Sequence, residues 1–218
     1  MPYEIRLLRV HVEKGPAGQP MGPARNRIFY VLEGGLRVGD RELAVDGACH
    51  SAASPSIRAI EPSSFLCWEL AQAGAPPGLI SSTGVSGESL LTEPVTGLDP
   101  GDGKQWLMRC DSVSFPPGGC AYTHVHQGPG IRYVLEGSIE IDTGGSKTPH
   151  GQGEAWFESG PEPVFAQADG DIPTRFIRAM ILPLSLVGRS SISYVNEEDK
   201  DKPKSQSYRG YIDQPIEL

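Results

Sequence analysis

Phe29-Tyr30-Val31-Leu32-Glu33-Gly34-Gly35-Leu36-Arg37-Val38 and Arg132-Tyr133-Val134-Leu135-Glu136-Gly137-Ser138-Ile139-Glu140-Ile141 are two versions of one pattern, 103 residues apart. Tyr-Val-Leu-Glu-Gly is identical in both. Each copy is a β-rich run, a Glu-Gly turn and an alternating run, which is the chemistry of a hairpin: glycine makes the turn and β-branched residues suit a pleated surface. The flanks run in parallel. Asp40–Ala48 answers Thr148–Phe157, and the apolar strand Ser64–Leu70 answers Thr174–Leu182. Helical periodicity is hard to find. The pattern predicts a duplicated all-β chain, a pair of sandwiches or barrels, with the Gly-, Pro- and Ser-rich stretch Ala71–Gly103 holding the linker. One long sandwich with a chance pentapeptide is the competing reading.

Composition agrees with a turn-rich globular protein. The 218 residues include 27 Gly and 20 Pro, too many for a helical bundle and too few for disorder. A net charge of −8 without a basic stripe argues against nucleic acid or an anionic membrane as partner. No apolar run reaches the ~18 residues of a membrane helix. Met1-Pro2-Tyr3-Glu4-Ile5-Arg6 lacks the profile of a signal peptide, so a cytoplasmic location is expected. Cys49, Cys67, Cys110 and Cys120 show no C-x-x-C spacing and read as buried thiols.

The second copy carries the site-like cluster, in Gly118-Gly119-Cys120-Ala121-Tyr122-Thr123-His124-Val125-His126-Gln127-Gly128-Pro129-Gly130. On a strand, residues i and i+2 share a face, so His124 and His126 project together and Tyr122 joins them one step earlier. Paired imidazoles inside a barrel need hydrogen bonds or a metal, and imidazole suits zinc, nickel, iron or copper. The first copy has no such pair: at the same offset Met21 stands opposite His124, Pro23 opposite His126 and Arg27 opposite Gly130. His50 reads as a hydrogen bonder, and His11 and His150 as exposed strand and turn positions.

Gly118, His124, His126 and Gly137 fall on the first motif of the cupin superfamily, G-x5-H-x-H-x3,4-E-x6-G, which this segment resembles. Gly153–Val164 is a looser echo of the second motif. The resemblance spans about Arg25–Leu70 and Gly118–Pro183. It implies two jelly-roll barrels in tandem, a bicupin of the RmlC-like kind, with a degenerate N-terminal barrel (1–95), a C-terminal barrel (104–190) and an arm (191–218) that docks on the barrels or on a second subunit. A homodimer is the expected assembly.

Many cupins hold a metal through three histidines and a glutamate. Here Gly130 stands at the glutamate position and Val164 where the second motif has its histidine. A divalent metal (Zn, Ni, Fe, Mn or Cu) therefore needs a substitute ligand beside His124 and His126: Glu158, Glu162 or the amide of Gln167. Two histidines with one carboxylate leave open positions for a substrate. The alternatives are a pocket that binds an organic ligand by hydrogen bonds alone, or a structural histidine pair. Gly130 is expected to open space in the pocket, with Arg132 as an anion anchor and Trp156 as an apolar wall beside Glu158. A glutamate against an indole in a dry pocket is expected to have a raised pKa and to act as general acid or base. Tyr122, Arg132, Trp156 and Gln167 are thus the expected substrate contacts. The leading reading is a metal-dependent enzyme, oxygenase or lyase/isomerase, acting on a small organic molecule; the rival is a non-catalytic small-molecule binder.

Overall fold

The structure is a computed structural model that describes residues 2–14, 19–78, 83–101 and 103–218. Met1 and residues 79–82 and 102 of the expected linker lie outside the described residues. The chain is almost wholly β and divides into two units, Met1–Lys104 with Ile216–Leu218, and Gln105–Pro215.

The first unit contains β1 (Tyr3–Val12), β2 (Gln19–Pro20), β3 (Arg27–Glu33), β4 (Gly35–Val38), β5 (Arg41–Ala44), β6 (Ala48–Ser51), β7 (Ser56–Ala59), β8 (Ser63–Gln72) and β9 (Val85–Val95). Its sheets run β6-β3-β8-β1-β9 and β2-β7-β4-β5. The second unit contains β10 (Trp106–Phe115), β11 (Cys120–His126), β12 (Gly130–Glu136), β13 (Ser138–Thr143), β14 (Ser146–Gly151), β15 (Ala155–Glu158), β16 (Val164–Ala168), β17 (Thr174–Pro183), β18 (Ile192–Tyr194) and β19 (Ser207–Ile216). Its sheets run β15-β12-β17-β10-β19 and β14-β13-β16-β11-β18. The order β6-β3-β8-β1 of the first unit is the order β15-β12-β17-β10 of the second, so the duplication read in the sequence is a duplication of topology. Among the described residues no ladder joins the two sheets of a unit into a closed barrel.

The repeated pentapeptide does the same work twice. β3 and β12 are interior strands with the same burial along their length, and each ends in a Glu-Gly turn. Gly34 and Gly137 have φ of 75° and 72°, and a Cβ on either would lie 2.4 Å from a carbonyl oxygen, that of Pro62 or Pro173. Only glycine meets both demands.

Cross-strand pairing lines up equivalent rows in the two units. In the first, Cys49, Phe29, Cys67 and Leu8 lie side by side across β6, β3, β8 and β1, within one apolar core. In the second, the same row reads Trp156, Arg132, Arg178 and Asp111. Two residues along, both units carry charge. Ser51, Arg27, Glu69 and Arg6 occupy the row in the first unit, and Glu158, Gly130, Met180 and Arg109 in the second. Glu69 is fully buried and contacts Arg6, Arg25 and Arg27, each at 3.1 Å.

Two stretches differ from the sequence reading. The expected linker contains β9, an edge strand on β1; its exposure and its Ser, Gly and Pro residues hide the alternation. Of the expected arm, the residues through Pro215 belong to the second unit, with β18 extending the sheet at β11 and β19 at β10, and Ile216–Leu218 group with the first. The four cysteines are free, and burial raises every thiol, Cys49 to about 11. Among the described residues no helix is long and apolar enough to cross a membrane.

Candidate functional site

β11 carries the histidines, and a bulge decides which way they face. Ala121 pairs with Ala166 and His124 with Val164, so three steps on β11 match two on β16. The extra residue resets the alternation. Ala121, His124 and His126 all line one internal chamber, and Tyr122 does not. Placing Tyr122 beside the histidines is therefore corrected. Its ring lies outside, with the ammonium groups of Lys202 and Lys204 each 5.2 Å from the centroid. The Tyr122 carbonyl oxygen, however, lies 2.7 Å from His124 Nδ1 and accepts its proton. That fixes the imidazole as the Nδ1–H tautomer and leaves Nε2 as a lone pair.

β15 supplies the carboxylate. Gly130 pairs with Glu158 and Arg132 with Trp156, so alternation brings Glu158 and Trp156 to the same face, as the sequence predicts. His124 Nε2 lies 3.2 Å from His126 Nε2, which lies 3.0 Å from Glu158 Oε2. The same carboxylate oxygen is 2.6 Å from Arg132 Nη2, and Trp156 Nε1 donates to Glu158 Oε1 at 2.8 Å. Arg132 Nη1 donates to the Gly130 carbonyl at 2.6 Å, which anchors the guanidinium. Val113, Phe115, Val164 and Phe176 close the chamber with apolar surface, and the free space is about 20 Å³, room for one water.

Burial pushes His126 down to about 3 and outweighs its contact with Glu158; it lowers His124 as well. Both imidazoles are neutral at physiological pH. Burial pulls Glu158 upward, but the Arg132 guanidinium, reinforced by His126 and Trp156, holds the carboxyl well below the usual carboxylate range. The expected raised pKa is thus corrected: the indole is a hydrogen-bond donor here, and an adjacent cation outweighs desolvation. Glu158 rests as an ionised acceptor rather than a proton donor. Burial also lowers Arg132, to about 10, which leaves it a cation.

Other expected residues lie elsewhere. Gln167 points away from the chamber, and its amide donates to the Gly118 and Gly119 carbonyls at 3.0 and 3.2 Å. Glu162 is exposed on the β15–β16 turn. Gly130 opens no space, because a Cβ there would meet the Ala179 oxygen at 2.5 Å and Met180 Cγ at 2.7 Å. His150 is half-buried and stacks on Trp156, with ring centroids 4.9 Å apart. His50 hydrogen-bonds Asn26 Oδ1 at 3.0 Å.

Sequence reasoning missed Arg178 and Asp111. Arg178 Nε donates to Asp111 Oδ1 at 2.6 Å, and Arg178 reaches the chamber wall. Phe176-Ile177-Arg178-Ala179-Met180 was the available signal, a charge inside an apolar strand whose counterpart in the first copy is Cys67.

The donor set suits a divalent metal in type and in protonation: two neutral imidazoles and one carboxylate, in contact. The donors touch each other rather than ring an open point, and among the described residues no three such side chains are so arranged. Arg132 already neutralises Glu158, so a cation enters where the carboxylate gives up part of that contact.

No family model and no curated protein matches the chain. Solved structures do. AerE from Microcystis aeruginosa is 15% identical with a TM-score of 0.56, over 80% of this chain and 87% of that one. An oxalate decarboxylase structure from work on proton-coupled electron transfer is 12% identical with a TM-score of 0.63, over 92% and 73%. A structure from work on the Mn(II) centres of Bacillus subtilis oxalate decarboxylase gives 12%, 0.60, 91% and 73%. At such identities the likeness is one of fold alone, and it agrees with the all-β architecture and the strand order shared by the two units.

Proposed function

We propose that the second unit is a divalent-metal-binding cupin that acts as a metal-dependent enzyme on a small organic molecule, with His124, His126 and Glu158 as its protein ligands. The observation that carries this reading is that His126 Nε2 lies 3.2 Å from His124 Nε2 and 3.0 Å from Glu158 Oε2. Donors at adjacent positions of an octahedral metal, each about 2.1 Å from it, stand about 3 Å from one another. When bound, the metal supplies Lewis acidity toward an oxygen function of the substrate. The chain supplies the rest. The Tyr122 carbonyl holds His124 in the ligating tautomer, Arg132 and Trp156 fix the Glu158 carboxylate, and the apolar walls leave room for no more than one water.

Arg132 supports a second reading. Its guanidinium already stands 2.6 Å from the oxygen that faces His126, so the charge is balanced without a metal. On that reading the second unit is metal-free and binds a small organic molecule by hydrogen bonds, without catalysing a reaction on it. Elemental mass spectrometry separates the two on protein purified without a histidine tag or chelator and then reloaded. Manganese is the first metal to load, since the oxalate decarboxylase neighbour holds Mn(II). The expected result is near one equivalent of metal, lost in the His124→Ala/His126→Ala variant. Absence after reloading, or retention by the double variant, overturns the ligand set.

A further inference from the structure

A cleft of about 510 Å³ lies beside the histidine chamber in the second unit, with Arg178 and Tyr208 as shared walls, and falls within the ordinary size range of small-molecule sites. Its lining has two characters. Tyr208, Tyr211 and Ile212 of edge strand β19 and Ile192 of β18 give it apolar walls. The charged part is Arg109, Asp111, Arg178, Arg189 and Asp213.

Four of these five charges are spent on one another. Arg109 holds both oxygens of Asp213, Nε to Oδ1 at 2.9 Å and Nη2 to Oδ2 at 3.2 Å, and it also donates to the Leu186 and Arg189 carbonyls. Arg178 grips Asp111 in the same way, at 2.6 and 3.3 Å. Arg189 differs from both. Its backbone is fixed: the N–H donates to the Leu186 oxygen at 2.9 Å, and the carbonyl accepts from Arg109 at 2.8 Å. The residue is exposed, and among the described residues its guanidinium has no ion-pair or hydrogen-bond partner. The lining therefore carries three cations against two anions, and the excess positive charge belongs to the chain itself.

That arrangement names a ligand class. One unspent charge suits a monoanion, and the parallel N–H donors of a guanidinium match a carboxylate with two hydrogen bonds. Walls with two phenol rings suit a flat apolar body. We propose that the cleft is a binding site separate from the histidine chamber, which takes an aromatic monocarboxylate with its ring among Tyr208, Tyr211, Ile192 and Ile212 and its carboxylate on Arg189. The site stands whether or not the chamber holds a metal.

Isothermal titration calorimetry of phenylacetate on the full chain tests it, with uncharged phenylacetamide as control. Each titration is run once in EDTA and once on manganese-loaded protein. Arg189→Gln removes the unspent charge and keeps the backbone bonds. Gly210→Trp fills the cleft: Gly210 shares a face of β19 with Tyr208, and a Cβ there meets nothing within 4 Å, so the strand accepts a side chain. The expected result is saturable binding of phenylacetate with the same affinity in EDTA and with manganese. Binding is at least about tenfold weaker for the amide, for Arg189→Gln and for Gly210→Trp. Melting curves identify a variant that has lost its fold, and the other then decides. No saturable binding, equal binding of acid and amide, or undiminished binding by the folded variants overturns the site. Binding that needs manganese places the acid at the histidine chamber and overturns it as well. The metal reading fails separately, on manganese content.

Discussion

At the scale of the residue, Glu158 is the member on which the others depend. Its side chain is 9% exposed and faces one cation, one imidazole and one indole N–H. Removing its charge leaves Arg132 buried and unpaired, which for such pairs costs about 3–5 kcal/mol. Glu158→Gln is expected to lose about that much in urea unfolding, and adding Arg132→Met is expected to recover part of it. No recovery in the double variant contradicts the pairing. Acid acts at the same residues. His126 and His124 are pushed down by burial and Glu158 by its cation, so all three stay unprotonated in the fold where the unfolded chain takes up protons. The unfolded state then binds more protons, and stability falls as pH drops below about 6.5 toward 3. His126 alone accounts for about 2 kcal/mol by pH 5. Unfolding curves at pH 7.5 and 5.0 check the slope, which His126→Leu is expected to flatten.

At the scale of the element, the twin Glu-Gly turns make the sharpest claim. Gly34→Ala and Gly137→Ala each bring a methyl group against a backbone oxygen at positive φ, so each is expected to cost at least about 2 kcal/mol in thermal unfolding. A variant as stable as the parent refutes the turn geometry. These turns were plain in the sequence because glycine after a β-rich run has few other uses, and their repetition exposed the duplication. The histidine pair and the Trp156–Glu158 face were equally plain, since both obey alternation. Tyr122 was not. A bulge inserts one residue into β11 without any mark in composition, so counting by twos placed Tyr122 inside and hid Ala121. Gln167 was misplaced because it directly follows the inward Ala166 and so faces the other way, and no sequence pattern states the phase of a five-residue strand. Arg178 and Asp111 escaped because their pairing depends on register between strands far apart in the chain.

At the scale of the whole molecule, the two units have the same strand order and opposite interiors. Metal added to the protein is expected to slow amide hydrogen exchange in peptides from β11, β12 and β15 and to leave β3, β6 and β8 unchanged. Hydrogen-exchange mass spectrometry with and without manganese reads this directly, and equal protection in both halves contradicts a site confined to the second. The row Cys49, Phe29, Cys67, Leu8 also has a use outside this protein's own chemistry. It is an apolar version of that row, already accepted by the same strand order. Grafting those four side chains onto positions 156, 132, 178 and 111 would give the second unit the first unit's apolar row. The gap between the two melting points would put a figure on what the charged row costs in robustness.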